Sequence, residues 1–290
     1  MTAYNRERYI AEAIESMLAS TYRNFELIVL DDVSSDRTVE IARSYAARDS
    51  RVRVIVNEKN LGQFGNRNKA ATLGTGKYLK YLDSDDLLYP TGLEVLVRMM
   101  EQFPEAGYGL CSLLQDDSRI YPYMLSPREA YERHFIKRIP LFHKAPLSSI
   151  ITKRAFDDVG GFPNPLVEGD YEMWLKMSTT QSVVLMPDGV AWYRVHDEQE
   201  DSARRKDPFV VYRHFLVTLK YLGDKCPLDA EQLKRALKDT QEEMAKFIIR
   251  TLLKPQPAKA AQMYRATDYN IGRFLGHCLD AGWSRRPFRK

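Results

Sequence analysis

The stretch FELIVLDD (residues 25–32) is a short apolar run that ends abruptly in two carboxylates. Runs of this length and composition are typical of strands buried in a parallel sheet. The pattern repeats outward along the chain, with a helix predicted over residues 36–48, a strand over VRVIV (52–56), a helix around residues 66–73 and a strand over YLKYLD (78–83). This βαβα order predicts an α/β fold with a mainly parallel, doubly wound sheet, whose ligands bind at the carboxyl ends of the strands.

The remainder of the chain divides into a mixed part and a helical part. Apolar residues at helical spacing predict a first helix with Asn5 as its N-cap, and Pro90 opens a later helix. Further strands are predicted over YGLCSLL (108–114), SSIIT (148–152), SVVLM (182–186) and VAWYRV (190–195), and a further helix over GDYEMWLKM (169–177). Because strand signals then give way to amphipathic helical ones, we predict an α/β domain over residues 1–205 and a helical extension over residues 206–290.

Composition excludes several classes of protein. Hydrophobic residues make up 44% and charged residues 28%, which excludes a wholly disordered or fibrous chain. The 43 basic and 39 acidic residues leave a net charge of +4, too balanced for a nucleic-acid binder with a basic stripe. With neither a membrane-length apolar run nor a signal-peptide pattern, a cytoplasmic location is expected. The basic, aromatic segment WSRRPFRK (283–290) is either a solvated tail or a contact with the anionic inner face of a membrane.

The first of three acidic clusters is DDVSSDRT (31–38), which directly follows a predicted strand. Ser35 and Asp36 are explained as caps of the next helix. Capping does not explain two adjacent carboxylates, Asp31 and Asp32, at the end of a strand. There a carboxylate can accept hydrogen bonds from a base or a ribose, as acidic residues do in other nucleotide-binding sheets.

Two further acidic clusters lie at later element boundaries. LDSDD (82–86) places three carboxylates within four residues, and their mutual repulsion favours a bound cation such as Mg²⁺ or Mn²⁺ shared with substrate phosphates. In EGDYEMWLKM (168–177), Asp170 precedes an amphipathic helix. That carboxylate is either a helix cap or a general base aimed into the cleft.

Four motifs together resemble those of family 2 glycosyltransferases in both order and spacing. They are TAYNRERYIAEAIESMLASTYRNFELIVLDDVSSDRT (2–38), NLGQFGNRNKAATLGTGKYLKYLDSDDLLYP (60–90), DVGGFPNPLVEGDYEMWLK (158–176) and YRVH (193–196). The resemblance covers roughly residues 1 to 200 and leaves the helical part outside it. It implies the GT-A fold, a nucleotide-sugar donor and an inverting reaction, with UDP sugars expected first.

The resemblance also implies roles for individual residues. It assigns contacts with the base and ribose to Thr2, Tyr4 and Asp32, and the catalytic base to Asp170. Asp83 and Asp85 become the D-x-D pair that holds Mn²⁺ or Mg²⁺, with Asp85 as the direct ligand and Asp83 nearer the ribose. Arg67 and Asn68 line the donor site, and His196 lies near the metal or the diphosphate.

Two departures from the family pattern shape the expected function. The QxxRW motif of processive synthases is missing, so we expect transfer of one or a few sugars to a carbohydrate or lipid-linked acceptor in surface-polysaccharide or glycolipid assembly. Relatives also carry a strand of the VSVIIPTYN kind, of which only TAYN (2–5) is present. Because the loss of a central strand would leave backbone groups unpaired, we expect the natural start to lie upstream.

Two other functions compete with this one. A sugar-nucleotide nucleotidylyltransferase would need a glycine-rich phosphate loop after its first strand, and residues 2–8 contain no glycine. A non-catalytic nucleotide-sugar-binding protein would not need the intact acids Asp83, Asp85 and Asp170.

Overall fold

The computed structural model describes residues 1–163, 169–196, 207–253 and 257–267, together with residue 276. The chain divides into two units, one of Met1–Ala130 with Phe142–Val195 and one of Tyr131–Leu141 with His196–Lys290. The segment 131–141 therefore groups with the helical part, although it falls within the range 1–205 predicted for the α/β domain. The domain boundary near residue 205 stays a prediction.

The first unit opens with a parallel sheet whose strand order is β1 (Thr2–Ala3), β2 (Leu27–Asp31) and β3 (Val52–Val56). Every residue of β2 is buried, as expected for a strand with neighbours on both sides. Thr2 pairs with Leu30 on one side and forms a parallel bridge with Asp83 on the other. The carboxyl end of β1 therefore lies between the end of β2 and the acidic loop at residues 83–86.

A groove with a volume of about 640 Å³ lies at the amino-terminal side of β1. Residues from β2 and from the segment 77–82 line it, including Leu27, Ile28 and Leu82. The Met1 amino group donates a hydrogen bond to the Ile28 carbonyl oxygen at 2.9 Å, which continues the pairing of β1 with β2 by one residue. The upstream strand expected from the sequence stays a prediction.

Four helices follow these strands: α1 (Ile10–Leu18), α2 (Thr38–Ala46), α3 (Gly62–Leu73) and α4 (Gly92–Met100). The prediction that Asn5 is the N-cap of α1 was wrong, because the helix begins at Ile10 with Tyr9 at its N-cap. Asn5 instead adopts a left-handed conformation with φ of 51°, and its side-chain oxygen accepts a hydrogen bond from the Ser35 amide at 2.8 Å. The Asn5 side chain therefore joins two neighbouring turns.

The second sheet is mixed. It contains β4 (Tyr78–Leu79), β6 (Tyr108–Leu113), β7 (Tyr123–Leu125), β8 (Ser149–Thr152) and β9 (Val183–Pro187), in the order β4-β8-β6-β9-β7. Only the pairing of β6 with β9 is parallel. A separate antiparallel pair joins β5 (Leu87–Leu88) to β10 (Ala191–Trp192). The predicted strands over 78–83 and 190–195 are thus shorter than expected, and each leads into a loop that carries polar side chains.

Short helical elements complete the first unit and the segment that follows β7. They are α5 (Pro127–Tyr131), a π-helical turn (Glu132–Ile136), a 3-10 turn (Pro146–Ser148), α6 (Lys153–Asp158) and α7 (Gly169–Met177). The main apolar core packs α1 and α4 against the sheets. Its fully buried side chains include Ile10, Ile14, Leu96, Ile150 and Val184. Each such side chain stabilises the fold by about 1.5 to 3 kcal/mol.

The second unit has its own core. Its helices are α8 (Pro208–Tyr221), α9 (Ala230–Leu252) and α10 (Pro257–Arg265), and Tyr212, Met244 and Met263 are among its buried residues. Arg138 explains why the segment 131–141 groups with these helices, since it forms ion pairs with Asp239 at 2.9 Å and Glu243 at 3.4 Å.

No helix in the described part of the chain combines the length and the apolar character that crossing a bilayer requires. The segment 283–290, for which we predicted a membrane contact, lies outside the described residues, and that contact stays a prediction.

Gly92 offers a test of the packing between α4 and the strand region of β10. A Cβ atom on Gly92 would lie 2.2 Å from the Val190 carbonyl oxygen. Alanine would remove the helix penalty of glycine, up to about 1 kcal/mol, but overpacking against rigid backbone costs about 1 to 3 kcal/mol. We therefore expect Gly92→Ala to lower the free energy of unfolding in urea. Gly74→Ala is the control, because its Cβ would meet its nearest neighbour at 3.5 Å. Equal stability of the two variants would contradict the packing assignment.

Candidate active site

A single buried arginine joins the predicted acids of two distant motifs. Arg67, on α3, is only 1% exposed, and its Nη2 donates to both carboxylate oxygens of Asp83 at 3.0 and 2.8 Å. Its Nη1 donates to Oδ1 of Asp170, in the first turn of α7, at 3.1 Å. The guanidinium also lies over the rings of Phe64 and Phe162, with ring centroids at 5.6 and 5.8 Å. The D-x-D acid and the predicted catalytic base thus share one cation.

This arrangement keeps Asp83 ionised. Burial alone would raise the pKa of Asp83, but the Arg67 guanidinium and a hydrogen bond from the Thr2 hydroxyl at 3.2 Å outweigh burial and hold that pKa below its usual value. A guanidinium cannot lose its proton in a protein, so a buried arginine must be compensated by anions. Asp83 and Asp170 supply that compensation.

A second arginine holds the other acid of the D-x-D pair. Arg6 Nε donates to Oδ2 of Asp85 at 3.0 Å, and the two side chains are 22% and 13% exposed. Arg6 lies just after β1, in the first motif of the sequence. Each carboxylate of the D-x-D pair is therefore engaged by an arginine from a different segment.

The third carboxylate of the acidic loop has a structural contact. Asp86 is buried and accepts a hydrogen bond from the backbone amide of Arg194 at 3.0 Å. Burial raises the pKa of Asp86 to about 7, and the charges of Asp83 and Asp85 act in the same direction. Arg194 also donates through Nε to the Asp85 carbonyl oxygen at 2.8 Å and forms an ion pair with Glu12 on α1. The residues after β10 therefore tie the acidic loop to α1.

The fit of a divalent metal depends on this loop. Among the described residues, no three His, Cys, Asp or Glu side chains come together as a metal site. Mg²⁺ in nucleotide sites is commonly held by one or two carboxylates together with substrate phosphates, and Asp83 and Asp85 provide that number of hard oxygen ligands. The residues present fit a metal that is completed by a donor diphosphate rather than an all-protein cage.

Asp32 caps a helix that is remote in sequence. Its carboxylate accepts hydrogen bonds from the amides of Leu61 and Gly62, at 2.8 and 2.9 Å, where α3 begins. It also accepts from the side chain of Asn57 at 2.7 Å, and Asn57 in turn donates to Asn66. These contacts satisfy amides that a helix start leaves without partners. The role of Asp32 in binding a base or a ribose stays a prediction.

Other predicted donor-site residues lie in different surroundings. Tyr4 is half exposed at the end of β1, near Thr2. Asn68 exchanges two hydrogen bonds with the backbone of Phe162, at 2.9 and 2.8 Å, and so fixes one of the rings that contact Arg67. His196 belongs to the second unit. The ligand-binding roles of these residues stay predictions.

The contacts of Arg6, Arg194 and the Asn57–Asn66 pair are not predictable from local sequence. Arg6 and Arg194 lie inside the quoted motifs TAYNRERYI and YRVH, but an arginine in a loop gives no local signal of the carboxylate it meets. The pairing of Arg6 with Asp85 joins residues 79 positions apart in sequence. The one local indication of a role for these residues is that Arg6, Asn57 and Arg194 each lie shortly after the end of a strand.

A family model and two relatives of this chain describe glycosyltransferases. Residues 1–160 match the model of the family described as Glycosyl transferase family 2. An uncharacterised glycosyltransferase of Methanocaldococcus jannaschii is 29% identical over 185 residues, which cover 61% of this chain and 62% of that protein. The UDP-Glc:α-D-GlcNAc-diphosphoundecaprenol β-1,3-glucosyltransferase WfgD of Escherichia coli is 30% identical over 178 residues, which cover 61% of this chain and 67% of that protein. The chain thus spans less than two thirds of the archaeal relative.

Two solved structures with a similar fold are complexes with nucleotide sugars. The TarS fragment of S. aureus in complex with UDP-GlcNAc is 18% identical, with a TM-score of 0.62 over 97% of this chain and 77% of that chain. The mannosyltransferase PcManGT of Pyrobaculum calidifontis, in complex with GDP-Man and Mn²⁺, is 18% identical, with a TM-score of 0.62 over 97% of this chain and 85% of that chain. At this level of identity the likeness shows the fold.

The family match covers more than half of the 290 residues and includes β1, the acidic loop and Arg67. The chain therefore belongs to glycosyl transferase family 2 and has the GT-A fold.

Proposed function

We propose that this chain is a metal-dependent, inverting and non-processive glycosyltransferase that moves a sugar from a nucleoside-diphosphate sugar to an acceptor hydroxyl. The observation that carries the proposal is the Arg67 guanidinium shared by Asp83 and Asp170. Nη2 of this planar group holds Asp83, the candidate carboxylate on the donor side, and Nη1 holds Asp170, the candidate base. A transferase that works by direct displacement needs both functions beside the same sugar.

Asp170 acts as the general base in this proposal. It takes the proton from the acceptor hydroxyl while that oxygen forms a bond to the anomeric carbon. The bond from that carbon to the diphosphate breaks at the same time, and its electron pair leaves with the nucleoside diphosphate. Attack opposite to the leaving group inverts the anomeric configuration, and the transition state has oxocarbenium character.

Arg67 positions the base. Its Nη1 contact fixes one oxygen of Asp170, and its Nη2 contacts fix Asp83. Asp85 and Asp83 would hold Mn²⁺ or Mg²⁺, which supplies Lewis-acid stabilisation to the departing diphosphate when it is bound. Thr2, Tyr4 and Asp32 lie near the ends of the parallel strands, where nucleotides bind in open α/β sheets.

The similar proteins support a nucleotide-sugar donor, and we favour a UDP sugar. TarS has been solved with UDP-GlcNAc, the name of WfgD specifies UDP-Glc, and PcManGT has been solved with GDP-Man. The name of WfgD also specifies a lipid-linked diphosphate acceptor. A carbohydrate or lipid-linked acceptor in surface-polysaccharide or glycolipid assembly, at the inner face of the membrane, is our proposal for this chain.

Ligand-induced stabilisation tests the donor class. A ligand that binds only the folded state at 100 times its Kd stabilises it by about 2.7 kcal/mol, which raises Tm. We expect UDP and its sugars to raise Tm in the presence of Mn²⁺ and to lose most of that effect with EDTA. GDP and dTDP serve as matched controls in the same differential scanning fluorimetry experiment. If no nucleoside diphosphate changes Tm with Mn²⁺ present, the proposed function is wrong.

Replacing Asp170 tests the assignment of the base. We expect Asp170→Asn to reduce kcat by about 10² to 10⁴, the usual contribution of a general base, with little change in UDP affinity. Turnover is measured by release of nucleoside diphosphate from the donor identified by stabilisation. Asp157→Asn is the control, because its carboxylate pairs with Lys153 on the surface. Near wild-type turnover of Asp170→Asn would contradict the assignment.

Replacing Arg67 tests the shared cation. Removing Arg67 leaves Asp83 and Asp170 without a counter-ion, but their side chains are 28% and 33% exposed, so the expected cost is that of losing charged hydrogen bonds, about 1.5 to 3 kcal/mol. We expect Arg67→Leu to lower the free energy of unfolding by an amount in that range, measured in urea. Arg53→Leu is the control, since Arg53 is 46% exposed and its pair with Glu26 contributes about 0 to 1 kcal/mol. If both variants lower the free energy of unfolding by a similarly small amount, the ion pairs of Arg67 with Asp83 and Asp170 do not stabilise the site.

A further inference from the structure

Two of the hydrogen bonds that hold the backbone around Arg6 do not use the Arg6 side chain. The Arg6 amide donates to the Thr38 hydroxyl at 2.7 Å, and the Asn5 amide donates to the Ser34 hydroxyl at 2.9 Å. Together with the contact between Asn5 and Ser35, these bonds fix the turn after β1 against the turn before α2. A change at the Arg6 side chain therefore leaves these three contacts in place.

The Arg6 guanidinium is only partly committed. Nε donates to Asp85, and Nη1 donates to the carbonyl oxygens of Tyr4 and Asn5 at 3.2 and 3.0 Å. Within the described residues, the hydrogen bonds of this guanidinium use Nε and Nη1. The hydrogens of Nη2 are therefore available to another acceptor, and the side chain is 22% exposed.

Arg6 and Arg67 differ in how firmly they are held. Arg67 is enclosed by two carboxylates and two aromatic rings and is 1% exposed. Arg6 meets one carboxylate, on Asp85, at the edge of the site. Of the two arginines on the D-x-D pair, Arg6 is the less enclosed, and the Asp85 carboxylate that it would leave, which is 13% exposed, needs another cation in its place.

A divalent cation on Asp85 would conflict with Arg6 in its present position. Two cations on one carboxylate repel each other, and arginine cannot relieve the repulsion by losing a proton. A displaced guanidinium beside a nucleotide site has a preferred partner in the oxygens of a diphosphate, which it binds through parallel hydrogen bonds. Since Arg6 follows Tyr4 and Asn5 in the turn after β1, it lies beside the proposed donor contacts Thr2 and Tyr4.

We propose that Arg6 is an exchangeable counter-ion, which neutralises Asp85 in the free protein and transfers to the diphosphate of the donor when a divalent cation takes Asp85. The inference rests on the proposed function and adds a donor-binding residue to it. The metal then raises the affinity for the nucleotide, because it frees Arg6 to bind the diphosphate. The nucleotide raises the affinity for the metal by the same factor, because it draws Arg6 away from Asp85.

The test compares two binding constants in Arg6→Gln. Without nucleotide, Mn²⁺ affinity is measured by electron paramagnetic resonance of free Mn²⁺. We expect the variant to bind Mn²⁺ about tenfold more tightly than the wild type, because the competing cation is gone. With saturating Mn²⁺, calorimetry should show about tenfold weaker binding of UDP, because the phosphate contact is gone.

Two further variants make the result specific. Arg37→Gln is the matched control, since Arg37 forms an exposed ion pair with Glu40, and it should change neither constant. Arg6→Lys keeps the charge but loses the planar fork, so it should bind Mn²⁺ as the wild type does and bind UDP more weakly. This second variant tests the same inference if Arg6→Gln does not fold.

The outcomes separate the inference from the proposed function. If the wild type binds Mn²⁺ and UDP, but Arg6→Gln gains no Mn²⁺ affinity or loses no UDP affinity, Arg6 is a fixed structural contact and the inference is wrong. If the wild type binds no nucleoside diphosphate in the presence of Mn²⁺, the proposed function fails and the inference fails with it.

Discussion

The buried positive charge of Arg67 is the constraint on which the organisation of this site depends. A guanidinium that is 1% exposed must meet anions, and it meets Asp83 and Asp170. The residues packed around Arg67 hold the guanidinium in place for these ion pairs. Asn68 holds the backbone of Phe162, and Gly169 leaves room for Phe64, because a Cβ there would lie 2.5 Å from the Phe64 ring. Packing and electrostatics together join α3, the acidic loop and the start of α7.

The acidic loop is stable because each of its three carboxylates is compensated differently. Asp83 meets a buried arginine, Asp85 meets a partly exposed one, and Asp86 is buried with a pKa near neutrality and a backbone amide as its partner. The arginine on Asp83 is thus enclosed, whereas the arginine on Asp85 lies at the edge of the site.

Local sequence predicted the elements of the fold well where a pattern is short and regular. The apolar runs at 25–32 and 52–56 are strands of a parallel sheet, and GDYEMWLKM is the helix Gly169–Met177. Asp83 and Asp85 could be predicted as site residues, because carboxylates clustered directly after an apolar strand repel one another unless a cation lies beside them. Asn5 shows the limit of this reasoning. The same residue type that caps helices also adopts left-handed turns, and local sequence does not distinguish the two.

By itself, the sequence determined the α/β class, the parallel strands, the helical end of the chain and the acids that form the candidate site. Only the tertiary structure decided which cation meets which carboxylate, that Asp32 caps α3, and that most pairs in the second sheet are antiparallel. The physical reason is the range of the interactions. Apolar periodicity and capping act within a few residues, whereas an ion pair or a strand pairing joins residues that become neighbours only when the chain has folded.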